Sequence, residues 1–155
     1  MSCVLRVSSS DNDLTPFVAK SQLPIYESYR RGEVCTIGRK ERAHKNFGFK
    51  CDVSKREFSD LPGQIGDALV FLQRHEAELR QLRAEYKIDD LRLDFACWLR
   101  IGDTTITQSD YFPPSLLSIA GNLGVGIEFS LYPKPQEEEP NQPPEPTPPA
   151  GAAHL

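Results

Sequence analysis

Leu91-Arg92-Leu93-Asp94-Phe95-Ala96-Cys97-Trp98-Leu99-Arg100-Ile101 is the longest run of strict alternation in the chain. Successive side chains of an extended strand point to opposite faces. Leu91, Leu93, Phe95, Cys97, Leu99 and Ile101 therefore share one face, which is apolar and built for a core. Arg92, Asp94, Ala96, Trp98 and Arg100 share the other, which mixes charge with the only tryptophan of the protein. A strand of this kind belongs to a sheet covered on one side and open on the other, because strands buried on both faces read as continuous apolar runs.

Downstream, the polar stretch Gly102 to Phe112 leads to Pro113 and Pro114, which open a short helix carrying Leu116, Leu117, Ile119 and Ala120. Gly121 to Gly124 end that helix. A last strand follows over 125–132, with Val125, Ile127, Phe129 and Leu131 on one face. Upstream, Ile65, Leu69, Leu72, Leu79, Leu82 and Tyr86 recur at three- and four-residue spacings and predict one long covering helix over about 64–86. Its outer face places Glu76 four before Arg80 and Arg74 four before Glu78, the spacing of solvated ion pairs. His75 lies along the apolar stripe and reads as a partly buried histidine without a catalytic or ligand role.

Two further strands are patterned in the same way. Phe47, Phe49, Cys51 and Val53 alternate with Gly48, Lys50 and Asp52, and Cys3, Leu5 and Val7 alternate with Val4, Arg6 and Ser8. A brief helix with Pro16 in its first turn follows the first strand and is stopped by Pro24. Residues 32–43 are weakly patterned and read as an irregular strand with an exposed loop. The result is an α+β domain over 1–134, an open-faced sandwich. Its mostly antiparallel sheet of four to five strands carries helices on one face. The first and last thirds repeat one plan of strand, proline-opened short helix and strand, which hints at duplication.

Eight of the 13 prolines lie at or after Pro133, and residues 135–155 carry four glutamates and no Lys or Arg. With almost nothing to bury, this segment is expected to be a disordered tail. The net charge of −4 belongs to it, since the rest holds 18 basic against 18 acidic side chains. No run approaches the roughly 18 apolar residues of a membrane span. The amino terminus also lacks a basic stretch followed by an apolar one, so the sequence predicts a cytoplasmic protein with no membrane partner. Cys3, Cys35, Cys51 and Cys97 are too widely spaced for a zinc knuckle or a redox pair, and three of them fall at inward strand positions as buried thiols.

No glycine-rich phosphate loop, nucleophile elbow or paired metal motif is present. Cys35 with His44 is the one conceivable nucleophile and base. No catalytic residue, cofactor or metal is expected, and the leading reading is a non-enzymatic protein-interaction module. It would offer another protein either the sheet face of Arg92, Asp94, Trp98 and Arg100 or the basic segment that begins at Arg30 and Arg31. Tryptophan and arginine are frequent interface anchors. Residues 30–56 hold nine Lys or Arg, so the alternative is a nucleic-acid binder with Trp98, Tyr26 or Tyr29 as stacking platforms. A small enzyme of unknown chemistry is the second alternative.

The run FACWLRIGDTTITQSDYFPPSLLSIAGNLGVGIEFSLYP, residues 95–133, resembles the end of a bacterial family of small domains of unknown function. Leu23-Pro24, the Arg31-Gly32-Glu33 step and the strand with Phe47 and Phe49 extend the resemblance to about residues 3–133. Members often place an acidic residue before the final tyrosine, where this chain has Ser130 and Leu131. The resemblance implies no catalytic residue or cofactor. It implies binding, of an immunity or accessory type, by analogy alone.

Overall fold

A computed structural model describes residues 1–37, 40–102 and 105–134. Its central strand is β1 (Cys3–Ser9), followed by α1 (Thr15–Val18) and β2 (Ile25–Tyr29). A separate hairpin of β3 (Val34–Ile37) and β4 (Lys40–Ala43) leads into β5 (Phe47–Ser54). Next come α2 (Leu61–Arg74), α3 (Glu76–Glu85), β6 (Asp90–Trp98), α4 (Pro114–Leu123) and β7 (Gly126–Tyr132). The main sheet has the order β2-β5-β1-β6-β7. All its pairings are antiparallel except β6 with β7.

The alternation in the sequence explains this sheet. Cys3, Leu5 and Val7 sit in register between Phe49 and Cys51 of β5 and Leu91, Leu93 and Phe95 of β6. Together they form the buried face. Phe17 from α1, Ile65, Ala68 and Leu72 from α2, Leu79 and Leu82 from α3, and Leu116 and Ala120 from α4 close over it. All the helices therefore lie on one side, and the domain is the open-faced α+β sandwich that the patterning predicts. Cys3, Cys51 and Cys97 are buried free thiols, as their inward positions require.

Three features differ from the sequence reading. The alternation of the key strand runs to Ile101, yet β6 stops at Trp98, and Leu99 and Ile101 are 38% and 52% exposed. Strand pairing ends there: β1 reaches only to Phe95, and Tyr132, opposite Trp98, is the last residue of β7. Beyond the last bond, from the Leu99 N–H to the Tyr132 carbonyl, an apolar pattern persists where there is no sheet to bury it.

The long covering helix is two helices. Asp60 opens α2 by accepting the Gly63 N–H at 2.9 Å, with Pro62 in the first turn. At His75 the backbone leaves helical geometry (φ −106°, ψ 13°), and Glu76 and Glu78 begin α3, where acidic side chains suit a helix start. The apolar stripe passes through the break unchanged. The Glu76–Arg80 pair forms at 2.8 Å. Glu78 turns instead to the Ser21 hydroxyl and the Gln22 N–H, pinning the segment after α1 to the helix layer.

Among the described residues of 32–43, none belongs to the main sheet. Val34 pairs with Ala43 and Cys35 with Arg42 in a two-stranded arm whose β4 residues are all exposed. The hint of duplication holds in strand direction only. β1 and β2 run parallel across α1, as β6 and β7 do across α4, but β5 stands between the first two. The tail expected over 135–155 lies outside the described residues.

Candidate interaction surfaces

The uncovered face of the sheet is a lattice of paired charges. Arg6 on β1 places Nε and Nη2 2.9 and 2.6 Å from Asp94 Oδ2 on β6, and the Ser130 hydroxyl of β7 donates to Asp94 Oδ1 at 2.6 Å. Asp94 is thereby buried with its carboxylate satisfied from both sides. Arg92 lies 2.6 Å from Asp90 and 2.7 Å from Glu128. Lys50 reaches Glu27 at 2.8 Å. Arg92 and Asp94 therefore share the outward face as expected, but each is tied to partners within the sheet.

Trp98 stands at the rim of this face, half-buried. Its ring packs on Phe58 with centroids 4.7 Å apart, and Phe58 also meets Tyr132 at 5.3 Å. The Trp98 N–H donates to the Phe58 carbonyl at 3.3 Å, so the loop before α2 is fastened to the end of β6. Arg100, expected beside Trp98 on the strand, is in the following loop. Its Nη2 lies 2.6 Å from Asp110 Oδ1 and donates to the Ser109 carbonyl. The strand ends between Trp98 and Arg100, so Arg100 is not part of the sheet face.

The basic segment divides into two parts. In its sheet half Lys50 pairs with Glu27, Lys55 with Asp52 and Arg56 with Asp67. In its arm half, Arg30, Arg31, Lys40, Arg42 and Lys45 make no salt bridge among the described residues. Arg30 Nε donates to the Thr15 hydroxyl at 3.0 Å, and the Arg31 guanidinium lies 5.4 Å from the centroid of the Phe47 ring. These two arginines flank an open cleft of about 480 Å³ between α1 and the base of the arm, walled by Leu14, Val18, Tyr29 and Glu33.

Gly48 lets this base close. A Cβ there would occupy the space taken by the Tyr29 hydroxyl and the Val7 carbonyl, so only glycine lets the tyrosine lie across β5. Tyr29 in turn stacks on His44, with ring centroids 4.1 Å apart and planes 15° from parallel. The arm is thus seated on the sheet by an aromatic pair. Burial raises the Tyr29 hydroxyl above its ordinary pKa, and nearby Glu27 acts in the same direction.

A family model described as "Domain of unknown function (DUF4279)" matches residues 1–134. The chain belongs to this family. No curated protein and no solved structure matches it. The DUF4279 match spans every described element, from β1 through β7.

Within this DUF4279 domain the chemistry that a thiol could offer is muted. Burial pushes Cys51 up to about 12 and Cys97 up to about 11, and it raises Cys3 as well. Cys35 is the least buried, yet its thiol donates to the Arg42 carbonyl at 3.3 Å while the His44 ring lies on Tyr29. Among the described residues no group of three or more His, Cys, Asp or Glu is placed to hold a metal ion. No described helix is long and apolar enough to cross a membrane. Sequence reading missed Phe58, which has no periodic partner in its loop, and Ser130, whose role emerges only when β7 is placed beside β6.

Proposed function

We propose that this DUF4279 protein is a non-enzymatic interaction module that docks the arm of β3 and β4, with Arg30 and Arg31 at its base, against an acidic protein surface. One observation carries this reading: the cations of the sheet are paired, whereas the side chains of Arg30, Arg31, Lys40, Arg42 and Lys45 make no salt bridge among the described residues. Unpaired exposed cations raise association rates with acidic partners and cost little desolvation before binding. The aromatic group around Trp98 supports the reading from the other side, since its rings are spent on each other.

A second reading is favoured by the shape of the arm. A two-stranded ribbon is narrow enough to enter a DNA major groove, and the same cations would meet phosphates. Two probes separate the readings, a polyglutamate peptide and a DNA duplex, each titrated against the full chain and against a variant with Arg30→Glu and Arg31→Glu. The proposal expects saturable polyglutamate binding that weakens with salt and falls about tenfold or more in the variant. Polyglutamate binding that is absent, or unchanged in the variant, overturns it. Tighter binding of the duplex than of the peptide replaces it with the nucleic-acid reading.

A further inference from the structure

The two edges of the sheet are guarded unequally. β2, at one edge, is five residues long, follows Pro24 and carries an irregularity between Ile25 and Glu27. Short length, proline and bulges are the devices by which sheet edges avoid pairing with other chains. β7, at the opposite edge, is longer and has no bulge, and its one neighbouring proline, Pro133, lies after its last residue. Its seven residues, Gly126 to Tyr132, run in unbroken register against β6, with no proline or lysine. Its one charge, Glu128, lies 2.7 Å from Arg92 of the neighbouring strand. Among the described residues no strand pairs with its outer side.

The outer side also has a defined polarity. The Tyr132 carbonyl accepts the Leu99 N–H at 2.7 Å on the β6 side. Backbone groups alternate in direction along a strand, so Ser130, Glu128 and Gly126 also address β6. Ile127, Phe129 and Leu131 therefore direct their N–H and C=O groups outward.

We propose that β7 pairs antiparallel with β7 of a second copy of this chain, about a two-fold axis at Phe129, joining two five-stranded sheets into one. The sequence GIEFSLY is complementary to itself in this register. Phe129 faces Phe129, and Ile127 faces Leu131, so three apolar pairs continue the helix-covered face. On the free face Glu128 stands opposite Ser130, and Tyr132 stands opposite Gly126, where the missing side chain leaves room for the ring. The outward amides of 127, 129 and 131 all meet partners. A shift of the axis to residue 128 would set Glu128 against Glu128, which like-charge repulsion disfavours. A shift to residue 130 would bring Pro133, which lacks an N–H, opposite Ile127. Leu131, 45% exposed in the single chain, would be covered.

The test is the mass of the full chain in solution by light scattering and sedimentation, for the wild type, Leu131→Pro and Leu131→Lys. Proline removes an outward N–H that owes nothing to β6, and lysine places a charge on an exposed edge position. Circular dichroism establishes that each variant is folded. A dimer at a chain concentration on the order of 100 µM, weakened at least about tenfold in a folded variant, is the expected result. Amide exchange in the wild type provides a reading independent of the variants. Residues 127, 129 and 131 should exchange more slowly as concentration rises, while 128 and 130 stay unchanged. A monomer at that concentration, or a dimer whose outward β7 amides exchange at the same rate when diluted, overturns the proposal.

Discussion

Arg6 and Asp94 face each other diagonally across the β1–β6 pair, with Arg6 Nη2 2.6 Å from Asp94 Oδ2. The carboxylate is buried and takes a further bond from the Ser130 hydroxyl, while the Arg6 side chain keeps about a third of its surface in water (35%). Removing the acid frees two donor side chains, Arg6 and Ser130, whereas removing the base leaves a buried carboxylate with one neutral donor. Arg6→Ala should cost about 3 kcal/mol in urea unfolding, since it leaves a buried charge unpaired, with Asp94→Ala costing less because water reaches the freed arginine. The double variant should cost less than the two added together. A loss under about 0.5 kcal/mol for Arg6→Ala would remove the network from the account of stability.

Trp98 and Ile101 should respond in opposite ways to truncation. Trp98→Ala removes a ring packed on Phe58 and loosens the loop before α2, so a loss of about 1–3 kcal/mol is expected. Ile101→Ser, in the exposed loop, should fall within about 0.5 kcal/mol of wild type. Thermal unfolding of the two variants side by side checks this. Equal effects would mean that the strand continues past Trp98.

Thiol labelling should count the burial of the cysteines. At pH 8 in native buffer, an aromatic disulfide reagent should react with Cys35 alone. Cys3, Cys51 and Cys97 are buried, and burial holds each thiol above its ordinary pKa. All four should react in denaturant, and Cys35→Ser should abolish the native reaction.

Asp67 should contribute to the acid limb of the stability curve. The Arg56 guanidinium, with help from the Ser54 hydroxyl, holds its carboxyl below the ordinary value of 3.8. A depressed folded pKa gives stability that is present in full above the unfolded pKa and lost as pH falls through the folded one. Asp67→Asn should therefore lower stability at neutral pH, by under about 1 kcal/mol because the pair is partly exposed. The deficit should shrink as pH drops below 3.8. A deficit that is constant with pH would assign the effect to packing.

Much of the architecture was legible because alternation is a local signal. The inward faces of β1, β5, β6 and β7, the covering helices and the buried cysteines all follow from spacing two or three to four residues apart. What the pattern could not reveal is where partners run out. Leu99 and Ile101 continue the rhythm of β6 with no neighbouring strand to bury them. His75 interrupts a helix whose stripe is continuous, since a change in backbone angle leaves the side-chain spacing intact. The pairing of the charges was equally hidden. Lys50 and Arg30 are alike as residues in a basic run, and only the fold sets Glu27 beside the first.

The central position of β1 bears on how the molecule assembles. β1 is flanked by β5 and β6, and Arg6 is separated from Asp94 by 88 positions. Its main contacts must therefore close long loops before they return any stability. β1 cannot be flanked on both sides until the chain through Phe95 is available. Folding should be slow for a chain of this size, with a transition state in which β1 has already met at least one distant neighbour.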